Sequence, residues 1–279
     1  MLSISDFSER FITDDSLKKL FELNPNRKEY TEVITPDYPQ YKYLFVENLH
    51  LNPYDIRDYL MNSSYIASTN LLVKEKTGAP GMQQPIGNEW VKNYLLYCRE
   101  SLLNHKITKK AIRWQDFQCY CNIFWASMQS MNSNYRPHVD PGDMAFNYFL
   151  SDDLDSSDGT GMYSINIDGQ EWMDVRHLQT EVEKRPDRDQ FLKKLEKVLD
   201  KGRVGVGKTT NYKRFDGDEN FTLKGVVPSG FNCLSAYRGS VYHSAFYDPT
   251  KYPEDHCRYS LVAMLALTMP GVGNSFQKK

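Results

Sequence analysis

The chain has 279 residues, with 34 Lys plus Arg against 36 Asp plus Glu and a formal net charge of −2. That balance excludes a polybasic nucleic-acid coat and an acidic tail, and nucleic acid is not an expected partner. Its 40% hydrophobic and 13% aromatic residues supply one sizeable core or two modest ones, which excludes global disorder. No stretch approaches the roughly 18 consecutive apolar residues of a membrane span, and residues 1–6 are polar and acidic rather than a secretion signal. The expectation is a cytoplasmic protein with no membrane partner. Cys98, Cys119, Cys121, Cys233 and Cys257 are odd in number and irregular in spacing, so they read as reduced thiols. Cys119 and Cys121 fit alternate positions on a strand better than a zinc knuckle.

Taken in order, residues 41–50 read as a strand, followed by a helix over 52–61 with Asn52 as cap and Pro53 at its first position. Residues 72–88 read as a loop, and 89–104 return to a helical period. From about residue 111 the character changes to short β-rich runs at 117–125, 144–150 and 162–167, and again at 231–237, 240–246 and 258–268. The spacing predicts a hairpin across Arg238-Gly239. Between these groups an insertion at about 170–228 contains one clear helix, opened by Pro186 and Asp187. It carries Phe191, Leu192, Leu195, Val198 and Leu199 on one stripe and Gly202 as its stop. Insertions of this kind commonly act as lids or substrate-gripping surfaces. The order predicts a mainly β protein with flanking helices, a sandwich or jelly roll. A helical or mixed region at 1–110 packs on a core at 111–279 as one integrated domain.

The chemistry concentrates in Tyr135-Arg136-Pro137-His138-Val139-Asp140-Pro141. On an extended backbone residues two apart point the same way, so His138 and Asp140 can reach one metal ion, the alternative being a solvent-facing histidine beside a turn. His243 lies in a later β-rich segment. Two histidines and one carboxylate cover one face of an octahedral ion and leave three positions open, the arrangement of non-haem Fe(II) enzymes. With Asp140 present, hydroxylation is favoured over halogenation. Fifteen residues on, Arg258 and Ser260 share one face of an apolar strand. A guanidinium beside a hydroxyl suits a carboxylate, whereas a rim arginine would only make a surface salt bridge.

His138-x-Asp140, His243 and Arg258-x-Ser260 together resemble the 2-oxoglutarate and Fe(II)-dependent oxygenase superfamily, whose core is a double-stranded β-helix of the cupin-like, jelly-roll kind. The resemblance spans residues 41–269. It extends over Val46-Glu47-Asn48-Leu49-His50-Leu51-Asn52-Pro53, Gly159-Thr160-Gly161-Met162-Tyr163 and His243-Ser244-Ala245, which are similar to a largely uncharacterised branch found in bacteria and phages. It implies His138, Asp140 and His243 as catalytic iron ligands and Arg258 with Ser260 as the grip on the distal carboxylate of 2-oxoglutarate. A further cosubstrate contact falls to Asn122, with Tyr120 second, unless these are polar residues on a solvated sheet face. The gap from His243 to Arg258 is longer than usual in this superfamily, so the loop 248–257 must bulge outward. The activity implied is hydroxylation of an unactivated C–H bond of a small molecule or peptide with O2, releasing succinate and CO2. The alternatives are a non-catalytic jelly-roll binding protein and a cupin-like metalloenzyme that does not use 2-oxoglutarate.

Three other signals are discounted. Residues 202–209 match the phosphate-loop spacing literally, but a helix precedes them where a strand is required. Lys201, Arg203, Lys208, Lys213 and Arg214 form a basic patch that reads as a solvated face. Asp152, Asp153, Asp155 and Asp158 resemble a calcium loop in composition only. His50, His105, His177 and His256 have no partner spacing and read as structural or surface residues.

Overall fold

The computed structural model describes residues 19–61, 82–86, 117–127, 137–140, 144–155, 157–201, 214–253 and 257–267. It is mainly β with few helices. The first strands are β1 (Lys28–Val33) and β2 (Lys42–Glu47), followed by helix α1 (Pro53–Met61), β3 (Met82–Ile86), β4 (Phe117–Ser127) and β5 (Met144–Phe149). Next come β6 (Gly159–Ile167), β7 (Gln170–Trp172), α2 (Val175–Glu183) and α3 (Arg188–Lys201). The last four strands are β8 (Phe221–Pro228), β9 (Cys233–Arg238), β10 (Tyr242–Phe246) and β11 (Cys257–Leu267). Among the described residues no helix is long and apolar enough to cross a membrane.

The larger, seven-stranded sheet runs β1-β2-β9-β5-β11-β4-β3. The smaller sheet runs β10-β6-β7, with β8 also paired to β6. All these pairings are antiparallel. From β5 onward the chain goes to the smaller sheet for β6 and β8, returns for β9, crosses for β10 and returns again for β11. Between β4 and β5, His138 makes an isolated antiparallel bridge to His243 of β10. The chain therefore visits the smaller sheet there as well.

This exchange explains why so many strands are buried throughout. All six residues of β5 are buried, matching its near-continuous apolar sequence Met-Ala-Phe-Asn-Tyr-Phe. Between the sheets, Ala145 and Tyr237 of the larger pack with Met162 and Val227 of the smaller. One residue along, Tyr163, Ile165 and Tyr242 belong to a second cluster with Leu178, Val182 and Phe191 of the two helices. The period of two thus sends one set of β6 and β10 side chains to the inter-sheet core and the other to the helices.

Several sequence expectations change. The helices of the insertion pack on the back of the smaller sheet, because their apolar stripes meet Tyr163, Ile165 and Tyr242; they are not a lid over the inter-sheet face. Leu199, placed on that stripe, is 36% exposed. The hairpin across Arg238-Gly239 does not form. Val241 N–H donates to Arg238 O at 3.2 Å, closing a turn, but Tyr242 N–H goes to Met173 O and β10 joins the other sheet. β8 lies inside the stretch taken as insertion, its alternation obscured by Lys224 and Gly225. Glycine is required at 225, since a Cβ there would lie 2.4 Å from Ile34 O. β3 falls within the expected loop, and the short strands β1 and β7 were not anticipated. The helix expected at 89–104, and Gly202 as helix stop, lie outside the described residues.

Candidate metal centre

His138 N–H donates to His243 O at 2.9 Å and His243 N–H to His138 O at 2.8 Å, while Asp140 N–H donates to Gly239 O at 2.9 Å. Extended pairing along this segment puts His138 and Asp140 on one side, facing His243. The nearest approaches are 3.2 Å from His243 Nε2 to Asp140 Oδ2 and 3.9 Å from His138 Nε2 to Asp140 Oδ1. Each of the three residues offers one ligand atom, and these atoms all lie within 4.8 Å of one another. The side chains of His243 and Asp140 are 5% and 8% exposed, whereas that of His138 is 42% exposed, so the cluster opens on its His138 side.

The donor set fits a divalent transition metal. His243 Nδ1 lies 2.8 Å from Val241 O, so the ring donates there and its Nε2 points at Asp140 Oδ2. A cation between them would displace the proton of that contact and take Nε2 and the Asp140 oxygen as ligands. Burial pushes the Asp140 carboxyl up, but the hydrogen bond and charge of His243, with the charge of His138, outweigh it and hold it below the usual carboxylate range. A carboxylate ionised at neutral pH is what a metal ligand requires.

Tyr237 stacks edge-on against the His243 ring at 5.0 Å between centroids, and its hydroxyl accepts a hydrogen bond from Asn147 Nδ2 at 3.0 Å. Burial, then the Asp140 charge, raise its pKa, so Tyr237 stays neutral. Asn147 and Tyr237 escaped the sequence reading. The available signal was one amide within the apolar run of β5.

Arg258 is 7% exposed, its guanidinium carbon 5.3 Å from the Phe149 ring centre and 4.6 Å from that of Tyr247. Its Nε has no hydrogen-bond partner among the described residues, nor has the buried Ser260 Oγ. This is not a rim salt bridge. Burial of an unsatisfied donor costs about 1–3 kcal/mol, more when it is charged, and an anion accepting from both residues would recover it. Both Asp140 and Arg258 act electrostatically on the buried Tyr237, Asp140 raising its pKa and Arg258 lowering it. Register sets Asn122 opposite Val262 and Tyr120 opposite Met264, two and four residues beyond Ser260. Their side chains lie outside the described residues.

Helix α3 precedes residues 202–209, which themselves lie outside the described residues, as do Lys208, Lys213, Arg203, His105 and His256. Asp155 pairs with Lys251 at 3.0 Å, Asp152 with Arg57 at 3.2 Å, and the buried Asp158 accepts from the Tyr252 hydroxyl. Together Asp155 and Asp158 pin the turn Pro249–Lys251 and Tyr252 against the start of β6. His50 is buried edge-on between Phe21 and Tyr148, and His177 lies edge-on to Trp172.

No family model and no curated protein matches the chain. Among solved structures it is similar to a prolyl-4-hydroxylase from Pseudomonas putida, with 10% identity and a TM-score of 0.33 over 94% of this chain and 98% of that one. It is also similar to the non-haem alpha-ketoglutarate-dependent epimerase SnoN from nogalamycin biosynthesis, with 11% identity and a TM-score of 0.39 over 82% and 80% of the two chains. A prolyl 4-hydroxylase from Phytophthora capsici is similar at 8% identity and a TM-score of 0.36, over 96% of this chain and 66% of that one. Likeness this distant bears on neither chemistry nor substrate, which rest on the residues themselves.

Proposed function

We propose that the protein is a non-haem Fe(II)- and 2-oxoglutarate-dependent oxygenase that hydroxylates an unactivated C–H bond of a small molecule or peptide. The observation that carries this is the convergence of His138, Asp140 and His243, beside which the buried Arg258 Nε has no hydrogen-bond partner among the described residues. A three-residue face leaves room on the ion for a bidentate 2-oxo acid, and a dicarboxylate has a second charge for the guanidinium. The exchange of strands between two sheets supports reading the core as a double-stranded β-helix in one integrated domain.

When bound, iron with 2-oxoglutarate and O2 supplies the oxidising power that breaks the C–H bond and yields succinate and CO2. The chain's own groups bind and orient. Asp140 and the two imidazoles hold the ion, and Val241 O fixes the tautomer of His243. Arg258 and Ser260 grip the distal carboxylate where low exposure strengthens each charge-assisted bond, and Tyr237, Phe149 and Tyr247 keep water from it. The exposed side of His138 is where the prime substrate approaches.

Anaerobic titration with Fe(II) and 2-oxoglutarate tests this. A weak visible charge-transfer band is expected, followed by succinate formation on admitting air, and both should be lost in Asp140→Ala. Metal-dependent turnover without 2-oxoglutarate would assign the site to a cupin-like enzyme instead. Failure to bind metal would leave a binding protein.

A further inference from the structure

The insertion packs against the strand that carries His243, and its entry segment touches the one peptide that orients that ring. Residues 173–175 and 240–242 form a short antiparallel bridge: Val175 N–H donates to Ser240 O and Tyr242 N–H to Met173 O, both at 2.9 Å. The peptide joining Val241 to Tyr242 is thereby held at both ends. Its N–H is bonded to the insertion, and its carbonyl accepts from His243 Nδ1 at 2.8 Å. Side chains reinforce the bridge. Asp174 Oδ1 caps α2 by accepting from Arg176 N–H at 2.8 Å, and Asp174 Oδ2 accepts from Ser240 Oγ at 3.1 Å. Asp174 is 4% exposed and Ser240 5%, so neither bond is open to exchange with bulk water.

We propose that Asp174 is a positioning residue for the metal centre, clamping through Ser240 the peptide whose carbonyl sets the tautomer and aim of His243. The proposal rests on the metal reading given above. It gives the insertion a task other than covering the site, since the start of α2 braces the back of a ligand strand. Groups that hydrogen-bond a metal ligand commonly change metal affinity by about 10–100-fold although they touch no metal, and Asp174 acts one step further out, on the peptide that makes that bond, so the low end is expected.

Co(II) titration of the full chain tests it, with the visible ligand-field spectrum reporting ligand geometry and thermal unfolding recorded for every variant. Asp174→Ala and Ser240→Ala should each weaken Co(II) binding about tenfold and shift the spectrum. Asp174→Asn, whose amide oxygen still caps α2 and whose NH2 can donate to Ser240, should recover binding to within about threefold of the parent. Phe191→Ala, which unpacks α3 without touching the bridge, should lower Tm and leave Co(II) affinity and spectrum unchanged. The proposal is overturned if Ser240→Ala and Asp174→Ala keep the parent's affinity and spectrum, or if Phe191→Ala weakens binding by the same factor. Should Asp174→Ala not fold, Ser240→Ala alone decides. If His243→Ala binds Co(II) as tightly as the parent, the metal reading itself fails, and the role of Asp174 with it.

Discussion

The Arg258 guanidinium packs against Phe149 and Tyr247, its Nε without a partner among the described residues, and the proposed carboxylate grip sets what its loss should do. A hydrogen bond to a charged group contributes about 1.5–3 kcal/mol, so Arg258→Ala should raise the 2-oxoglutarate requirement by roughly 10–100-fold while Fe(II) affinity stays within about twofold. Arg258→Lys should recover little, because a point charge does not replace a planar fork. Equal losses for both ligands would count against the carboxylate role. His138→Ala or Asp140→Ala should instead abolish succinate formation at any cosubstrate concentration. The His-x-Asp pair was legible in the sequence because a period of two needs no knowledge of the fold. Asp174 was not, since its partner Ser240 is 66 residues away and only the folded chain brings them together.

At the scale of elements, the strands with plain apolar alternation or continuous apolar runs were legible, and those shaped by contact were not. β8 carries Lys224 and Gly225 mid-strand, and its pairing with β6 shifts register between Met162 and Tyr163, so no regular pattern survives in its sequence. The Arg238-Gly239 turn was correctly seen as a turn, but local residues cannot say which sheet receives the next strand. Asn232 shows how such a crossing is secured. Its φ is 58°, and its side chain accepts from His50 N–H at 3.0 Å and the Tyr148 hydroxyl at 2.9 Å while donating to His50 O at 2.8 Å. Asn232→Ala removes three buried hydrogen bonds at a left-handed position and should cost about 2–4 kcal/mol in denaturant unfolding. Asn232→Gly should recover only the backbone part of that loss.

For the whole molecule, that same network sets a pH dependence. Burial, the largest influence, pushes the His50 imidazole down to about 4. The unfolded chain then binds a proton that the folded chain refuses between that value and the ordinary histidine range near 6.5. Stability from this group is complete above about 6.5 and is lost as pH falls toward 4, by about 3 kcal/mol in all. Chemical denaturation at pH 7 and pH 4.5 should show the fall, and His50→Phe should flatten it; an unchanged slope in that variant would place the acid sensitivity elsewhere.

His138 meets His243 of the smaller sheet in an isolated bridge, whereas β6 and β10 share five paired positions. An ion bound there would therefore also act as a cross-link, joining that segment to the paired strands. Stripping it with a chelator should speed amide hydrogen exchange at His138 and Asp140 while leaving the protection of Ser244 and Phe246 unaltered, so that the apo protein frays at one lip and keeps both sheets.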